Sequence, residues 1–448
     1  MHLKRVLTFL LLFFGFQLAS TPGQQVVATW TDTTGNWSDP TNWSTLTVPN
    51  NGGGTTYSVT INGASSDVTM DVINATIDNL TLDVGGHLGV AGFAPAFPSL
   101  SLVSGASTNN GGIGIAGGSA FVVNSGASLT NNGTMGTAEG EIINNSGAHT
   151  TNNGSIDIAD DGAALANSGV FNNNSGITLE FHAALSNAAG GLFTNSGTIT
   201  GDASGLGNAG TFNNAGTITF STISDPGGIS NFGTFNNDGT INLSKGLFNG
   251  GFANFSSLRI SSTGLFNTDF DYIQTAGSTM VDGKLTASSG AIVNIQGGTL
   301  GGTGTINGNV LMAGTMAPGD APGTLTIIGD YEQASTGFFE EQMSPFSHAF
   351  LDVSGNVVLD PGALLEISLL DGFNPLGLTF SIMDFSSLSG QFANGASFWD
   401  DNFLWDITYR QHEIDVTAVQ APEPSSFLLL AIGSLTIGAL AKRKQATE

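Results

Sequence analysis

Apolar residues alternate with small or polar residues along the middle of the chain, in short segments that end at Asn-Gly, Ser-Gly or Asp-Gly steps. In the segment GTFNNAGTITF (210–220), Phe212, Ile218 and Phe220 share one parity, and small or polar residues lie between them. A two-residue period is typical of a strand with one buried side. The glycine steps supply the positive φ angles of tight turns. The pattern therefore predicts short strands joined by turns.

This pattern repeats with a nearly constant period. Turn glycines recur at one phase of the repeat, and asparagines a short distance before them keep the same phase. The glycines are Gly133, Gly154, Gly176, Gly197, Gly216 and Gly239, and the asparagines are Asn124, Asn145, Asn167, Asn187, Asn208 and Asn231. A period of about 21 residues is typical of a solenoid, and the LxxLxL pattern of leucine-rich repeats is missing. We predict an all-β fold, a right-handed parallel β-helix with two or three short strands in each coil of about 21 residues.

Stacked coils place equivalent side chains above one another at about 4.8 Å. An internal aromatic stack is then expected for Phe171, Phe193, Phe212 and Phe235, with asparagines in ladders at the turns. The alternative is a disordered chain rich in Gly, Ser and Asn, and the regular apolar phase argues against it. We assign residues 61–296 to these repeats.

A solenoid needs closed ends, and all five tryptophans lie near the ends of the chain. Residues 29–60 contain Trp30, Trp37 and Trp43, and the tripeptide Asn-Trp-Ser occurs there twice. We interpret 29–60 as an N-terminal cap over the first coil. The alternative is a glycan contact, in which Trp37 and Trp43 stack against sugar rings.

Residues 297–420 differ from the repeats before them. The segment GGTLGGTGTINGNVLMAGTMAPGDAPGTLTIIGDY resembles the terminal passenger segment of autotransporter-type adhesins. This resemblance implies the end of a β-helix followed by a β-rich cap. An autotransporter also needs an outer-membrane barrel of many strands of about 10 residues. We expect no such barrel, because the sequence from Gln420 to Glu448 is too short to form one.

The chain begins with an export signal, according to its pattern of charge and hydropathy. Lys4 and Arg5 precede an apolar segment from Val6 to Phe16, which is typical of a signal peptide. Small residues around Ala19 and around Ala28 offer two cleavage positions, so we assign 1–28 to a signal helix with its cleavage site open. An uncleaved N-terminal anchor is the alternative, and both interpretations predict that the body is exported.

The C-terminal segment 421–448 predicts a single transmembrane helix. Residues 427–441 carry no charge and precede Lys442, Arg443 and Lys444. As a helix they would span roughly 22 Å, which is short of the roughly 30 Å hydrocarbon core. The three bases are expected to stay cytoplasmic. Pro422 and Pro424 place a stiff, non-helical segment directly before this helix.

Pro422-Glu423-Pro424, the apolar helix and the Lys442-Arg443-Lys444 cluster together resemble the PEP-CTERM sorting signal. Proteins of that family are exported by Gram-negative bacteria and processed by exosortase, a transpeptidase of the inner membrane. The resemblance extends from Pro422 to the end of the chain. It implies temporary anchoring in the inner membrane, processing near the Pro-Glu-Pro, and delivery to the cell surface or its polysaccharide matrix. An ordinary C-terminal anchor is the alternative.

Charge narrows the choice of partners. The chain has a net charge of −26, and between residues 6 and 441 it carries only four bases: Lys245, Arg259, Lys284 and Arg410. Such a body repels nucleic acid. The absence of cysteine excludes disulfides and thiolate metal sites.

Motifs that carry catalysis are missing from the sequence. The carboxylate pairs Asp160-Asp161 and Asp400-Asp401 are adjacent in the chain, and adjacent strand residues face opposite sides unless a turn intervenes. The six histidines include His87, His149, His182, His348 and His412, and they show no metal-ligand spacing. We find no GxSxG motif. We therefore predict a protein without enzymatic activity or a cofactor.

Calcium is the remaining metal to consider. Asn267, Asp269 and Asp271 offer alternating oxygen ligands, but the EF-hand glycine and the distal glutamate are missing. We expect loose counterion binding rather than a specific site. The predicted function is an exported structural or adhesin-like protein of the cell surface or of a biofilm matrix, in contact with extracellular polysaccharide. The alternatives are a carbohydrate-active β-helix enzyme, such as a polysaccharide lyase or hydrolase, and a glycan-binding module.

Overall fold

The chain folds into a parallel β-solenoid with three faces. The computed structural model describes residues 23–63, 65–92, 97–160, 162–202, 205–221, 228–243, 251–288, 290–319, 322–400 and 403–419. Within these residues the only helix is the 3-10 turn Pro40–Asn42. From residue 55 onward, each described coil contributes one short strand to each of three sheets, here called sheets I, II and III, whereas the first coil has strands only in sheets I and III.

Sheet I has 16 strands. In order along the sheet they are Gln24–Thr29, Thr55–Ile61, Asn79–Leu82, Gly105–Asn109, Ala127–Asn131, His149–Asn152, Val170–Asn173, Leu192–Asn195, Thr211–Asn214, Thr234–Asn237, Ser257–Ile260, Ser278–Val281, Thr299–Gly302, Thr315–Pro318, Phe338–Met343 and Leu364–Leu369.

Sheet II has 15 strands. They are Ala75–Ile77, Ser99–Leu102, Ala120–Val123, Glu141–Asn144, Ala164–Asn167, Ala184–Asn187, Gly205–Asn208, Gly228–Asn231, Gly251–Asn254, Tyr272–Gln274, Ile292–Ile295, Asn309–Met312, Tyr331–Gln333, Asn356–Leu359 and Ser387–Gly390.

Sheet III begins with parallel strands and ends with three antiparallel ones. The parallel strands are Thr34–Asn36, Asp67–Met70, His87–Ala91, Gly112–Ala116, Thr134–Ala138, Ser155–Ala159, Gly176–Leu179, Thr198–Asp202, Thr217–Ser221, Thr240–Leu243, Leu265–Thr268, Lys284–Ala287, Thr305–Asn307, Thr324–Ile328, Phe350–Val353 and Thr379–Asp384. The antiparallel strands, in sheet order, are Glu413–Val419, Phe403–Tyr409 and Ser397–Asp400. These last strands make the C-terminal end β-rich.

The predicted β-helix is confirmed as a parallel solenoid, with coils close to the predicted length. The parallel coils extend past both ends of the segment 61–296, because strand Gln24–Thr29 already pairs with Thr55–Ile61 and sheet I continues to Leu369. The predicted signal helix and the C-terminal helix 427–441 lie outside the described residues. Among the residues that are described, no helix is long and apolar enough to cross a membrane.

The registers correct the phase of the repeat at three positions. Gly176 pairs with Ser155 and Thr198, so it occupies the first strand position, and Ser175 lies at the corner where other coils have glycine. Asn144, rather than Asn145, is in register with Asn167, and Asn124 is one position late in the same way, because Val123 pairs with Asn144. The predicted phase is wrong at Gly176 because this glycine lies one position past the corner. It is wrong at Asn145 because two asparagines follow one another there, and the first of them is the one in register.

The predicted aromatic stack is confirmed. Phe171, Phe193, Phe212 and Phe235 are fully buried and in register on sheet I. Successive ring centroids are 4.9, 4.8 and 4.8 Å apart, with interplanar angles of 5°, 6° and 14°. The rings are nearly parallel because identical rungs repeat at the strand spacing of a sheet.

Two buried asparagine ladders run along the solenoid, as the sequence predicted. One is at the end of the sheet I strands (Asn109, Asn131, Asn152, Asn173, Asn195, Asn214, Asn237) and the other at the end of the sheet II strands (Asn144, Asn167, Asn187, Asn208, Asn231, Asn254). Each side-chain amide donates to the amide oxygen of the next coil; Asn187 Nδ2, for example, lies 2.8 Å from Asn208 Oδ1. It also lies 3.0 Å from the carbonyl oxygen of Thr211. The ladders thus satisfy buried polar groups that would otherwise be costly.

Candidate functional site

The sorting-signal residues lie outside the described part of the chain. These are Pro422, Glu423, Pro424, Lys442, Arg443 and Lys444. Their assignment therefore remains a prediction from the sequence. The described surfaces and clusters are considered below.

The three N-terminal tryptophans pack against one another above the first coils. Trp43 is in the centre, with ring centroids 5.0 Å from Trp30 and 4.7 Å from Trp37, both in edge-to-face geometry. The indole nitrogen of Trp37 donates to the carbonyl oxygen of Pro49 at 3.0 Å, and that of Trp43 donates to the carbonyl of Trp37 at 2.9 Å. Trp37 and Trp43 are 0% and 1% exposed. Neither Trp37 nor Trp43 has a ring face exposed to a sugar. The geometry therefore favours the cap over the glycan contact.

The remaining sequence candidates are scattered. Asp160 lies in a turn with φ of 78°, and Asp400 accepts a hydrogen bond from the Ile367 amide at 2.7 Å; Asp161 and Asp401 are outside the described residues. At the calcium candidate, Asn267 donates to Asn242 and Asp271 accepts from the Ile292 amide, each at 3.0 Å. Within the described segments, no group of three or more His, Asp and Glu residues is arranged to hold a metal.

The solenoid brings His87 and Asp67 together on the outer face of sheet III. They occupy register-paired positions on adjacent strands, and His87 Nδ1 lies 3.0 Å from Asp67 Oδ1. More than half of each side chain is exposed, so this pair contributes little to stability. The sequence could not indicate the pair, because its two members lie on different coils.

A buried acid–base pair near the C-terminal end was not predicted. Glu341 is 0% exposed, and His348 Nδ1 lies 3.3 Å from its Oε1. Burial raises the pKa of Glu341 to about 8, and the nearby His348 side chain lowers it only in part. The contact is an ion pair rather than a good hydrogen bond, because His348 Nδ1 lies closer to the carbonyl oxygen of Ala349, at 2.8 Å. The interaction with Glu341 is the main cause that raises the pKa of His348. The sequence does not single out Glu341, because it is one of two successive glutamates. Only the register of the strand shows which of the two side chains points inward.

The outer surfaces of sheets I and III carry unusually regular polar columns. On sheet I, ten successive rungs present threonine or asparagine at one outward position: Thr29, Thr60, Thr81, Thr108, Thr130, Thr151, Asn172, Thr194, Asn213 and Asn236. Every one is half-buried and lies between inward-facing residues of its strand. We call this set the Thr/Asn column. Sheet III has a shorter series that includes Asp157, Thr178, Thr200 and Thr219.

The outer surface of sheet II is different. At the position equivalent in its strands, the residues are small or apolar, including Ala166, Ser186, Gly207 and Ser230. The three faces of one solenoid therefore differ in chemistry although they share one backbone geometry. Comparison with known proteins gives no family: no family model matches the chain, and no curated protein is similar to it.

Proposed function

We propose that this chain is an exported, non-enzymatic protein of the cell surface or extracellular polysaccharide matrix, with a structural or adhesin-like role. The observation that carries the proposal is the regular, stiff solenoid itself. Its core is continuous from Ala28 to Ala418, and its outer faces repeat short side chains over many successive rungs. A rod of this kind offers long flat surfaces for many weak contacts with a polymer.

The proposal includes the sorting route indicated by the sequence. The Pro422-Glu423-Pro424 segment, the apolar helix 427–441 and the terminal bases would hold the chain in the inner membrane until exosortase processes it. We also propose that the coils wind right-handedly, because strand–crossover–strand units are right-handed in about 98% of cases. The terminal signal helix and the C-terminal membrane helix belong to this proposal as well.

The fold supports the earlier of the two signal cleavage positions. Strand Gln24–Thr29 pairs along its whole length with residues 55–60, and Ala28 is fully buried. Cleavage near Ala28 would remove this first strand of sheet I and expose the next one. We therefore propose cleavage near Ala19, and the N-terminal residue of the secreted protein, read from its intact mass, tests this.

Deleting residues 427–448 tests the sorting route. The truncated protein is expected in the periplasm or medium, because its proposed membrane anchor is gone, whereas the full chain is expected in the membrane or at the surface. A full-length chain in which Pro422, Glu423 and Pro424 are changed to alanine is the matched control, expected to stay in the membrane unprocessed. Unchanged surface retention of the truncated protein would contradict the proposed route.

A further inference from the structure

The Thr/Asn column is set apart by its length, because the corresponding Thr/Asn series on sheet III covers seven rungs, from Thr178 to Asn307. Its ten residues occupy ten successive rungs without a charged or apolar interruption. At a rung spacing of about 4.8 Å the column is about 43 Å long. It ends at Arg259, which follows Asn236 in register and forms an ion pair with Asp282.

Most hydrogen-bonding groups of the column have no partner within the protein. Asn236 Nδ2 donates to Asn213 Oδ1 at 2.8 Å. In the described part of the chain, the threonine hydroxyls of the column make no hydrogen bond with another protein group. These hydroxyls are therefore available to an external molecule at one group per rung.

The column is also held rigid from inside. The residue after each column member from Thr108 to Asn236 is a member of the buried asparagine ladder of sheet I. Successive ladder amides are 2.6 to 2.8 Å apart, so the strand ends cannot shift independently. Because the donors and acceptors are fixed before binding, a ligand loses little free energy in ordering them.

An exposed aromatic pair lies at the C-terminal end of the column. Phe232 and Phe255 are 59% and 39% exposed, and their rings stack at 4.5 Å with an interplanar angle of 3°. Phe232 precedes the column residue Asn236 by four positions, at the corner that leads into the same strand. The preceding rung has the exposed Ala209 at this corner, which is too short to cover the ring of Phe232. Two stacked phenylalanines in water are an unusual surface feature. They offer apolar area at the corner that leads into the last rung of the column and into the next rung, which carries Arg259.

We propose that the Thr/Asn column and the Phe232–Phe255 pair form a binding surface for an extended, neutral polysaccharide that lies along the solenoid axis. Hydroxyl groups of successive sugars exchange hydrogen bonds with successive rungs, and the apolar C–H faces of a sugar pack against the phenylalanines. This inference rests on the proposed matrix function and names its ligand class.

The negative charge of the protein favours a neutral polymer over an anionic one as the ligand. The column has no ionised group, and the whole chain carries −26, so a polyuronate or a nucleic acid would be repelled. The outer face of sheet III is less suitable, because Asp157 and the nearby Glu180 and Asp202 make it acidic. Each rung contributes weakly, and the affinity arises from many linked contacts.

The test is affinity electrophoresis of the full mature protein in gels that contain dextran, glucomannan or xyloglucan, with alginate as the polyanionic comparison. We expect retardation by at least one neutral polymer and none by alginate. The triple variant Thr108→Val, Thr130→Val and Thr151→Val removes three hydroxyls and keeps the β-branched shape. It should lower the affinity at least about 10-fold. The Thr→Ser triple at the same positions keeps the hydroxyls and should bind within about 3-fold of the unchanged protein.

The matched control is the triple Thr178→Val, Thr200→Val and Thr219→Val on sheet III, which should change the affinity less than about 2-fold. A separate Phe232→Ala variant should weaken binding about 3- to 10-fold. No retardation by any neutral polymer, preference for alginate, or equal loss in the two valine triples would overturn the inference. These outcomes leave the sorting test unaffected, since membrane retention does not depend on glycan binding.

Discussion

The aromatic stack offers the most direct measurement of what holds the coils together. Phe212 is 0% exposed and contacts a stacked ring on each side, at 4.8 Å from both Phe193 and Phe235. Phe212→Ala removes both ring contacts and leaves a cavity, because the neighbouring rungs are hydrogen-bonded sheets that cannot collapse into it. A buried Phe→Ala substitution costs about 3–5 kcal/mol, and each lost ring pair adds about 0.5–1.5 kcal/mol at most. We expect a loss of at least about 4 kcal/mol in the free energy of unfolding.

The five tryptophans lie near the ends of the chain, so their fluorescence reports poorly on the middle of the rod. Urea unfolding followed by far-UV circular dichroism is the appropriate measurement, with hydrogen exchange of the coils from 192 to 237 to locate the effect. Coils contact mainly their neighbours, so exchange should increase first in this region.

Phe232→Ala is the matched control, because it makes the same change in the adjacent coil at a ring that is 59% exposed. It should cost less than about 1 kcal/mol. A loss below about 1 kcal/mol for Phe212→Ala, or equal losses for the two variants, would refute the view that the internal stack stabilises the solenoid.

Three further outcomes follow from the described contacts. Asn208→Leu should cost about 2–4 kcal/mol in urea unfolding, because it removes the ladder hydrogen bonds to Asn187 and Asn231 and places an apolar side chain between their buried amides; Asn208→Gln, which keeps the amide, should cost less. Burial raises the pKa of Glu341 to about 8, so the folded state holds this proton more tightly, and stability should fall as pH rises from about 5 to about 8. Glu341→Gln should remove this dependence and be the more stable form at pH 8 to 9, and an equally steep fall in the variant would contradict the assignment. Gly216→Ala should destabilise the protein by more than about 2 kcal/mol, since its Cβ would overlap the carbonyl oxygen of the previous corner, whereas Gly207→Ala enters open space and should be near neutral in thermal unfolding.

Much of the fold follows from the local pattern along the chain. Alternating parity predicts which side of each strand is buried, and the regular recurrence of the pattern predicts that Phe171 to Phe235 stack. The prediction works because each coil contacts mainly the next one, so a local repeat in the sequence becomes a repeat in space. The prediction was off by one position at Gly176 and at Asn145. At both places two registers of the repeat fit the sequence equally well, and only the hydrogen bonds between coils identify the correct register.

The functional surfaces depend on information that no local pattern contains. The sequence favours a cap for the N-terminal tryptophans but leaves a sugar contact as the alternative, and only the packing shows that Trp37 and Trp43 are buried where three indoles close one end of the core. Glu341 and His348 meet only because a hairpin turn brings them together. The Thr/Asn column forms only if ten strands are in the correct register at the same time. A shift of one residue in any of these strands would turn the column side chain of that strand inward. The sequence therefore determined the solenoid and its buried ladders, whereas the pairing between coils decided which outward residues form a continuous surface.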